Sequence, residues 1–446
     1  MLAPAQKILS LALEDASQQG VLRFLCAVRG ACAGGGYELA LACDHILLAD
    51  DGASAVSLPE VPLLGVLPGT GGLTRLIDKR RLRRDLADVF SSLPEGVRGQ
   101  RAVEWGLVDE ISPASRFSQA VAQRAEALAQ LLPVRRGDGI RLTEFPARYT
   151  SNSAEYRFVS LQVDLMQRSA QLTVRGPDLP APRTARALRD QGAELWSLQV
   201  FRELDDALLQ LRFNHPTASV VAVRSQGDAR LVLEHDAALA ALAADGDWLA
   251  SEVVALQKRV LKRYDQTGRS FFACIESGSC FAGCLLELVL GADRAYMKQA
   301  VEAAPALIVG VANAGSLPMA NGLTRLAARF LGAPEQAAAI LATKGQPLNP
   351  LAALHKGLVT FAPDEIDWDD EIRVAIEERA SLSPDALTAM EANLRWAGPE
   401  SMETRIFGRL SAWQNWVFAR PNATGERGAL TMYGKPERPT FDQRRT

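Results

Sequence analysis

Three successive glycines followed two residues later by an acid carry the strongest chemical signal in the chain: Gly34-Gly35-Gly36-Tyr37-Glu38. They join an expected strand, Phe24–Val28, to an expected helix. Glycine lets the backbone take angles forbidden to other residues and lets a ligand come close to the main chain. At a helix N-terminus the amide of Gly35 can point at an anion or a polarised carbonyl, which is half of an oxyanion hole. The competing reading is a tight strand-to-helix turn with no ligand. Glu38 stands among Leu39, Ala40, Leu41 and Ala42, where a carboxylate is costly unless paired, employed, or favoured by the helix N-terminus. A second acid, Glu60, follows the strand-like Ala55–Leu58 and Pro59, in an expected loop before the apolar run 61–64. Two carboxylates beside one anion hole suit general acid–base handling of water and substrate protons.

The elements that must position these residues occur twice. Gly30 to Asp44 has an echo in Gly278 to Asp293, and Gly65 to Leu76 has one in Gly315 to Leu326. Offsets drift only from 248 (Cys26 to Cys274) through 250 (Gly65 to Gly315) to 251 (Leu107 to Leu358). A register held that long indicates two copies of one fold in tandem. The repeat also serves as a control. Glu38 keeps an acid at Glu287, so part of its role is architectural, whereas the counterpart of Glu60 is Gly310.

The second copy shows how a full unit opens. Residues 159–165 and 170–174 alternate as a β-hairpin, a strand follows near 218–224, and a helix from about Trp248 to Tyr264 leads into a buried strand at 271–275. Strands alternating with helices predict an α/β sheet domain. Val159 to Gly278 spans 119 residues and Met1 to Gly30 spans 29, so the first copy is expected to lack about 90 residues, with Met1 near the middle of the matching helix. The expected layout is an incomplete first domain at 1–135 carrying the site and a degenerate second domain at 155–365. C-terminal helices at 366–420 and an irregular surface tail at 421–446 complete it. Ser383-Pro384-Asp385 reads as an N-cap with proline at the first helical position.

Other patterns carry less. Pro68-Gly69-Thr70-Gly71-Gly72 lacks the lysine of a phosphate loop and reads as a helix entrance. The run 79–84 is strongly basic and reads as a solvated face. His45, His215, His235 and His355 are isolated, and six cysteines without a CxxC pair give neither a zinc site nor a disulfide framework. With 49 Lys and Arg against 52 Asp and Glu, the net charge of -3 points away from nucleic acid and membrane surfaces. The uncharged stretch 303–315 is too short to span a bilayer, and no signal peptide opens the chain. A cytoplasmic, metal-free globular protein is expected. Exposed faces of the C-terminal helices suit either core packing, the commoner use, or a partner subunit; a homo-oligomer, a dimer favoured, is expected.

Residues 28–40, 58–65 and 68–72 together resemble the crotonase (enoyl-CoA hydratase/isomerase) superfamily. The resemblance implies tandem crotonase-like α/β domains, the first incomplete at its N-terminus, plus a helical C-terminal region. It implies an acyl-CoA thioester substrate and no cofactor. By position, Gly34, Gly35 and Gly36 are implied to bind the substrate, Gly35 donating its N–H to the thioester oxygen, while Glu38 and Glu60 manage water and protons. The tandem copy and the ending 402–410 narrow the resemblance to members that open the ring of 2,3-epoxybenzoyl-CoA, giving 3,4-dehydroadipyl-CoA semialdehyde and formate. An enoyl-CoA hydratase/isomerase is the nearest alternative. A catalytically silent protein that binds acyl-CoA or a partner is the other, because the second oxyanion donor of the superfamily lies upstream of Gly30.

Overall fold

The computed structural model describes residues 2–18, 22–132 and 139–445. It is a mixed α/β protein that divides into two compact units at residues 138 and 139; the boundary expected at residue 135 lies outside the described residues.

In the first unit, helix α1 (Leu2–Gln18) precedes β1 (Leu25–Val28), β2 (Ala31–Ala33), α2 (Gly35–Ala42), β3 (His45–Asp50) and β4 (Ala55–Ser57). Short α3 (Gly72–Thr74), then α4 (Arg84–Ser92), α5 (Gly99–Glu104), β5 (Glu110–Pro113) and α6 (Phe117–Gln130) complete it. Among the described residues β1, β3 and β5 form a parallel sheet in the order β1-β3-β5, and β2 pairs with β4 in parallel. Tyr37, Leu41, Ile46, Leu48, Val56, Leu58 and Phe90 share one buried core. Within it the Tyr37 hydroxyl donates to the Leu107 carbonyl at 2.8 Å. That bond satisfies the one polar atom the ring carries into the core.

The second unit is built on a larger sheet. Its strands are β6 (Arg148–Tyr149), β7 (Ser153–Glu155), β8 (Val159–Asp164), β9 (Ser169–Arg175), β10 (Val220–Gln226), β11 (Ser270–Ile275) and β12 (Arg294–Met297). Their spatial order runs without interruption from β12 back to β6, parallel from β9 to β12 and antiparallel from β6 to β9. The hairpin expected at 159–174 is β8–β9, with Leu161 opposite Leu172. Helices α7 (Ala185–Gln191), α8 (Trp196–Phe213), α9 (Ala229–Ala244), α10 (Trp248–Gln266) and α11 (Gly283–Leu290) fill the crossovers. Parallel strands need such long returns. Then come α12 (Arg325–Arg329), α13 (Pro334–Leu341), α14 (Pro350–His355), α15 (Trp368–Ser381), α16 (Pro384–Leu394) and α17 (Ser411–Phe418). Ser383 caps α16, its hydroxyl accepting from the Ala386 amide.

The sequence register reappears in the hydrogen bonds of the two units. Asp44 accepts from the Phe24 amide at 2.7 Å, and Asp293 accepts from the Phe271 amide at 2.8 Å. Arg75 pairs with Glu14 of α1, and Arg325 pairs with Asp265 of α10. The Arg80 Nε donates to the Gly106 carbonyl at 2.8 Å, and the Arg329 Nε donates to that of Gly357 at 2.7 Å.

Three expectations need correction. Helix α1 has 17 residues against 19 for α10, so the helix expected to be cut near its middle is nearly whole. The basic run is not simply a solvated face: Lys79 donates to the Ala42 carbonyl and pairs with Glu14, while Arg80 pairs with Asp109. The tail is not purely irregular surface either. It holds helical turns at Pro421–Thr424 and Ala429–Met432, and Arg445 is buried, donating to Glu391 Oε2 at 2.6 Å and to the Ser219 carbonyl at 2.9 Å.

Candidate active site

The glycine turn is shaped by one residue. Gly34 has φ +55° and ψ -127°, a combination open to glycine, and its amide donates to the Ser57 carbonyl of β4 at 3.0 Å. That bond fixes where α2 begins. Gly35 and Gly36 open the helix, where the first amides have no acceptor within it. Among the described residues nothing accepts from the Gly35 N–H; its carbonyl accepts from the Gln6 side chain of α1. A Cβ on Gly35 would lie 2.9 Å from Gln6 Oε1, and one on Gly34 would lie 2.6 Å from Glu60 Oε1. Space at both glycines is therefore already taken by polar side chains.

Glu38 is buried in the first turn of α2, and its amide closes that turn on the Gly34 carbonyl at 2.9 Å. Its Oε1 accepts from the Thr70 amide at 2.9 Å and from the Gly72 amide at 2.8 Å. One carboxylate oxygen thus anchors the Pro68–Gly72 turn, and the expected architectural share of Glu38 is this pair of bonds. Gly72 packs tightly at that contact, a Cβ there lying about 3.1–3.2 Å from Glu38 Oε1 and Leu58, so a larger residue would push these side chains aside.

Glu60 does not sit in a plain loop. It opens a wide π-helical turn, Glu60–Leu64, closed by Gly65 in the left-handed region. Such turns insert extra backbone and recur at functional positions. The turn swings Val61, Leu63 and Leu64 outward, Leu64 being 68% exposed, while Glu60 points back at Gly34. Its Oε2 is buried and has no hydrogen-bond partner. Burial raises the carboxyl above its usual range; its own backbone amide offsets part of that rise, and the charge of Glu38 adds to it. Glu38 and Glu60 therefore flank the same Gly34 corner, one fixed by amides and one with a free oxygen.

The second unit supplies the comparison. Gly283 matches Gly34, with φ +49° against +55°, and Cys284 matches Gly35. Here the amide at the Gly35 position is occupied: the Cys284 N–H donates to Asp236 Oδ2 of α9 at 2.6 Å. Desolvation pushes the Asp236 carboxyl up to about 7, against the lowering effect of its bonds to Cys284, with the nearby Glu287 adding to the rise. At the Glu60 position, Gly310 has no space for a side chain, a Cβ being 2.7 Å from Leu233 and 2.9 Å from the Gly283 Cα. Glu287 is tied down like Glu38, but by side chains: Asn313 Nδ2 at 2.6 Å and Arg325 at 2.9 Å.

Comparison with known proteins gives the family. The enoyl-CoA hydratase/isomerase family matches residues 10–135, which hold both glutamates and the glycine turn. The benzoyl-CoA-dihydrodiol lyase of Aromatoleum evansii is 51% identical over 434 residues, 97% of this chain and 78% of that protein. The chain belongs to the benzoyl-CoA-dihydrodiol lyase family. Two solved enoyl-CoA hydratases, from Geobacillus kaustophilus HTA426 and Mycobacterium smegmatis, are each 15% identical to it. They cover 65% and 64% of this chain and 98% of their own, with TM-scores of 0.48 and 0.46. Among the described residues of this lyase-family chain no cluster of side chains is arranged to hold a metal, and no helix is long and apolar enough to cross a membrane.

Sequence reasoning missed Gln6, Asp236 and the Thr70 and Gly72 amides. The amides carry no residue-type signal at all. Asp236 had one available signal, an acid immediately before the apolar stretch 237–243 of α9.

Proposed function

We propose that this chain is a lyase acting on a benzoyl-CoA-derived thioester, the substrate named for its relative. The substrate is 2,3-epoxybenzoyl-CoA, opened with two waters to 3,4-dehydroadipyl-CoA semialdehyde and formate. The Gly35 N–H takes the thioester oxygen and stabilises negative charge delocalised from the ring; one such donor is worth about 3–4 kcal/mol in the transition state. Glu60, with a buried free oxygen and a raised pKa, exchanges protons with water and ring oxygen. Glu38 holds the turn with Oε1 and orients water with its other oxygen. Gly34 and Gly36 keep the corner open.

The observation that carries this reading is the amide pair. Where Gly35 has a counterpart in the second unit, a carboxyl oxygen already takes its hydrogen bond, so the amide at this position is free of the helix and donates to an oxygen. The matched hydrogen bonds of the two units support two crotonase-like copies in tandem. The first, within 1–135, carries the site, and a degenerate second lies at 155–365, followed by helices at 366–420 and the tail at 421–446. An acyl-CoA thioester is the sole partner the reaction needs, in a cytoplasmic homo-oligomer, a dimer favoured.

The test is direct. Purified protein incubated with 2,3-epoxybenzoyl-CoA should release formate stoichiometrically with the epoxide consumed, the thioester staying intact. Turnover of crotonyl-CoA without formate from the epoxide would reassign the chain to hydration. Tight binding of the epoxide without turnover would make it a silent binding protein.

A further inference from the structure

The second unit contains an arginine-lined cavity of about 240 Å3 that none of the proposed chemistry uses. It lies where the end of α11 meets α12, α15 and α16. Four arginines line it, Arg325, Arg329, Arg379 and Arg395, with three carboxylates, Asp265, Asp293 and Glu391.

The pairing of these charges is uneven. Arg325 grips Asp265 with two bonds, at 3.1 and 2.6 Å, and Arg395 grips Asp293 with two, at 2.9 and 2.6 Å. Glu391 is taken by Arg445 through Oε2 and by the Ser270 hydroxyl through Oε1. Arg329 bonds the Gly357 carbonyl, and no carboxylate balances it among the described residues; burial alone depresses its pKa. Arg379 is 6% exposed, yet its Nε and Nη1 have no hydrogen-bond partner. Its nearest carboxylate oxygen, Glu391 Oε1, is 3.5 Å away, beyond the 2.7–2.9 Å of a charge-assisted bond. Burial lowers the Arg379 pKa, and Glu391 offsets that only in part.

A buried guanidinium is tolerated when its donors are satisfied, and orphaned donors that line a cavity are explained by a bound ion there. The fork of Nε and Nη donors matches two oxygens of a carboxylate or phosphate. We propose that this cavity is a binding site for one small oxoanion, held by Arg379 with Arg329 contributing the second unbalanced charge. The ligand brings the negative charge the cavity lacks and the acceptors Arg379 lacks. Two sources share that chemistry, inorganic phosphate and a small carboxylate such as formate. The site is independent of the reaction assigned to the first unit.

Isothermal titration of the full chain with sodium phosphate and, separately, with sodium formate tests it, with sodium chloride at matched ionic strength as reference. Saturable binding of one oxoanion per chain is expected, with a matching rise in melting temperature. Phosphate alone or formate alone binding identifies the source, and either supports the site. Arg379→Gln should weaken binding by about tenfold or more, the loss of a charge-assisted fork. Arg379→Lys, which keeps the charge and covers the case where the glutamine variant does not fold, should also bind more weakly than wild type. No saturable binding, binding no tighter than chloride, or affinity unchanged in a folded Arg379 variant overturns the proposal.

Discussion

At the residue scale the two glutamates make different demands, and substitution separates them. Glu60→Gln removes a titrating group from an oxygen that bonds nothing, so formate release should fall at least about 100-fold while the melting temperature barely moves. Glu38 has a structural half. Glu38→Gln keeps an acceptor for the Thr70 and Gly72 amides, whereas Glu38→Ala orphans both. Urea titration should therefore show Glu38→Ala losing about 2–5 kcal/mol and Glu38→Gln much less, with activity lost in both. If the glutamine variant retains full turnover, Glu38 is architectural only. Gly34→Ala should fail on two counts, since its φ is left-handed and the new methyl meets Glu60 Oε1.

Elements were legible wherever the hydrophobic period was clean. The β8–β9 hairpin, α10, β11 and the Ser383 cap of α16 stand close to where alternation, amphipathic spacing and capping chemistry put them. The turn at Glu60–Leu64 was not legible, because its wide hydrogen bonding depends on β4 and Gly65 holding its two ends, a tertiary constraint with no period of its own. Arg445 was hidden for a similar reason: one residue at the end of a polar tail reaches a buried carboxylate 54 positions earlier. The glycines and the two acids of the site were visible as residue types, but their meeting at Gly34 follows from the β2–β4 pairing that brings Ala33 beside Ser57. At this scale the repeated arginine ties give another test. Arg325 is nearly inaccessible and satisfies Asp265 and Glu287, while Glu14, the partner of Arg75, keeps some contact with solvent. Arg325→Ala should cost about 3–5 kcal/mol, from two buried carboxylates left unpaired, and Arg75→Ala distinctly less, read as midpoint shifts in denaturant.

For the whole molecule, the plugged amide of the second unit sets a pH dependence. In the unfolded chain the Asp236 carboxyl titrates near 3.8, and in the native protein near 7. Between those values the native state holds a proton that the unfolded chain has released. This group therefore favours folding fully below about pH 4, and that contribution is lost as pH rises to about 7, on the order of 4 kcal/mol in all. Asp236→Asn cannot titrate, so the difference in unfolding free energy between variant and wild type should grow across that window in the variant's favour. A flat difference would show that Asp236 is not perturbed.

The same plug closes the second unit to the role proposed for the first. Building a Gly34-type corner in the second unit would require removing Asp236, placing glycine at Cys284, and installing an acid at Gly310 where Leu233 and Gly283 leave no space. Removing Asp236 alone leaves the amide donor unfilled, and an acid at Gly310 alone forces an overlap. A Gly34-type corner therefore has a single workable address among the described residues, the first unit, and changes in the second unit bear on its packing and its arginine-lined cavity instead.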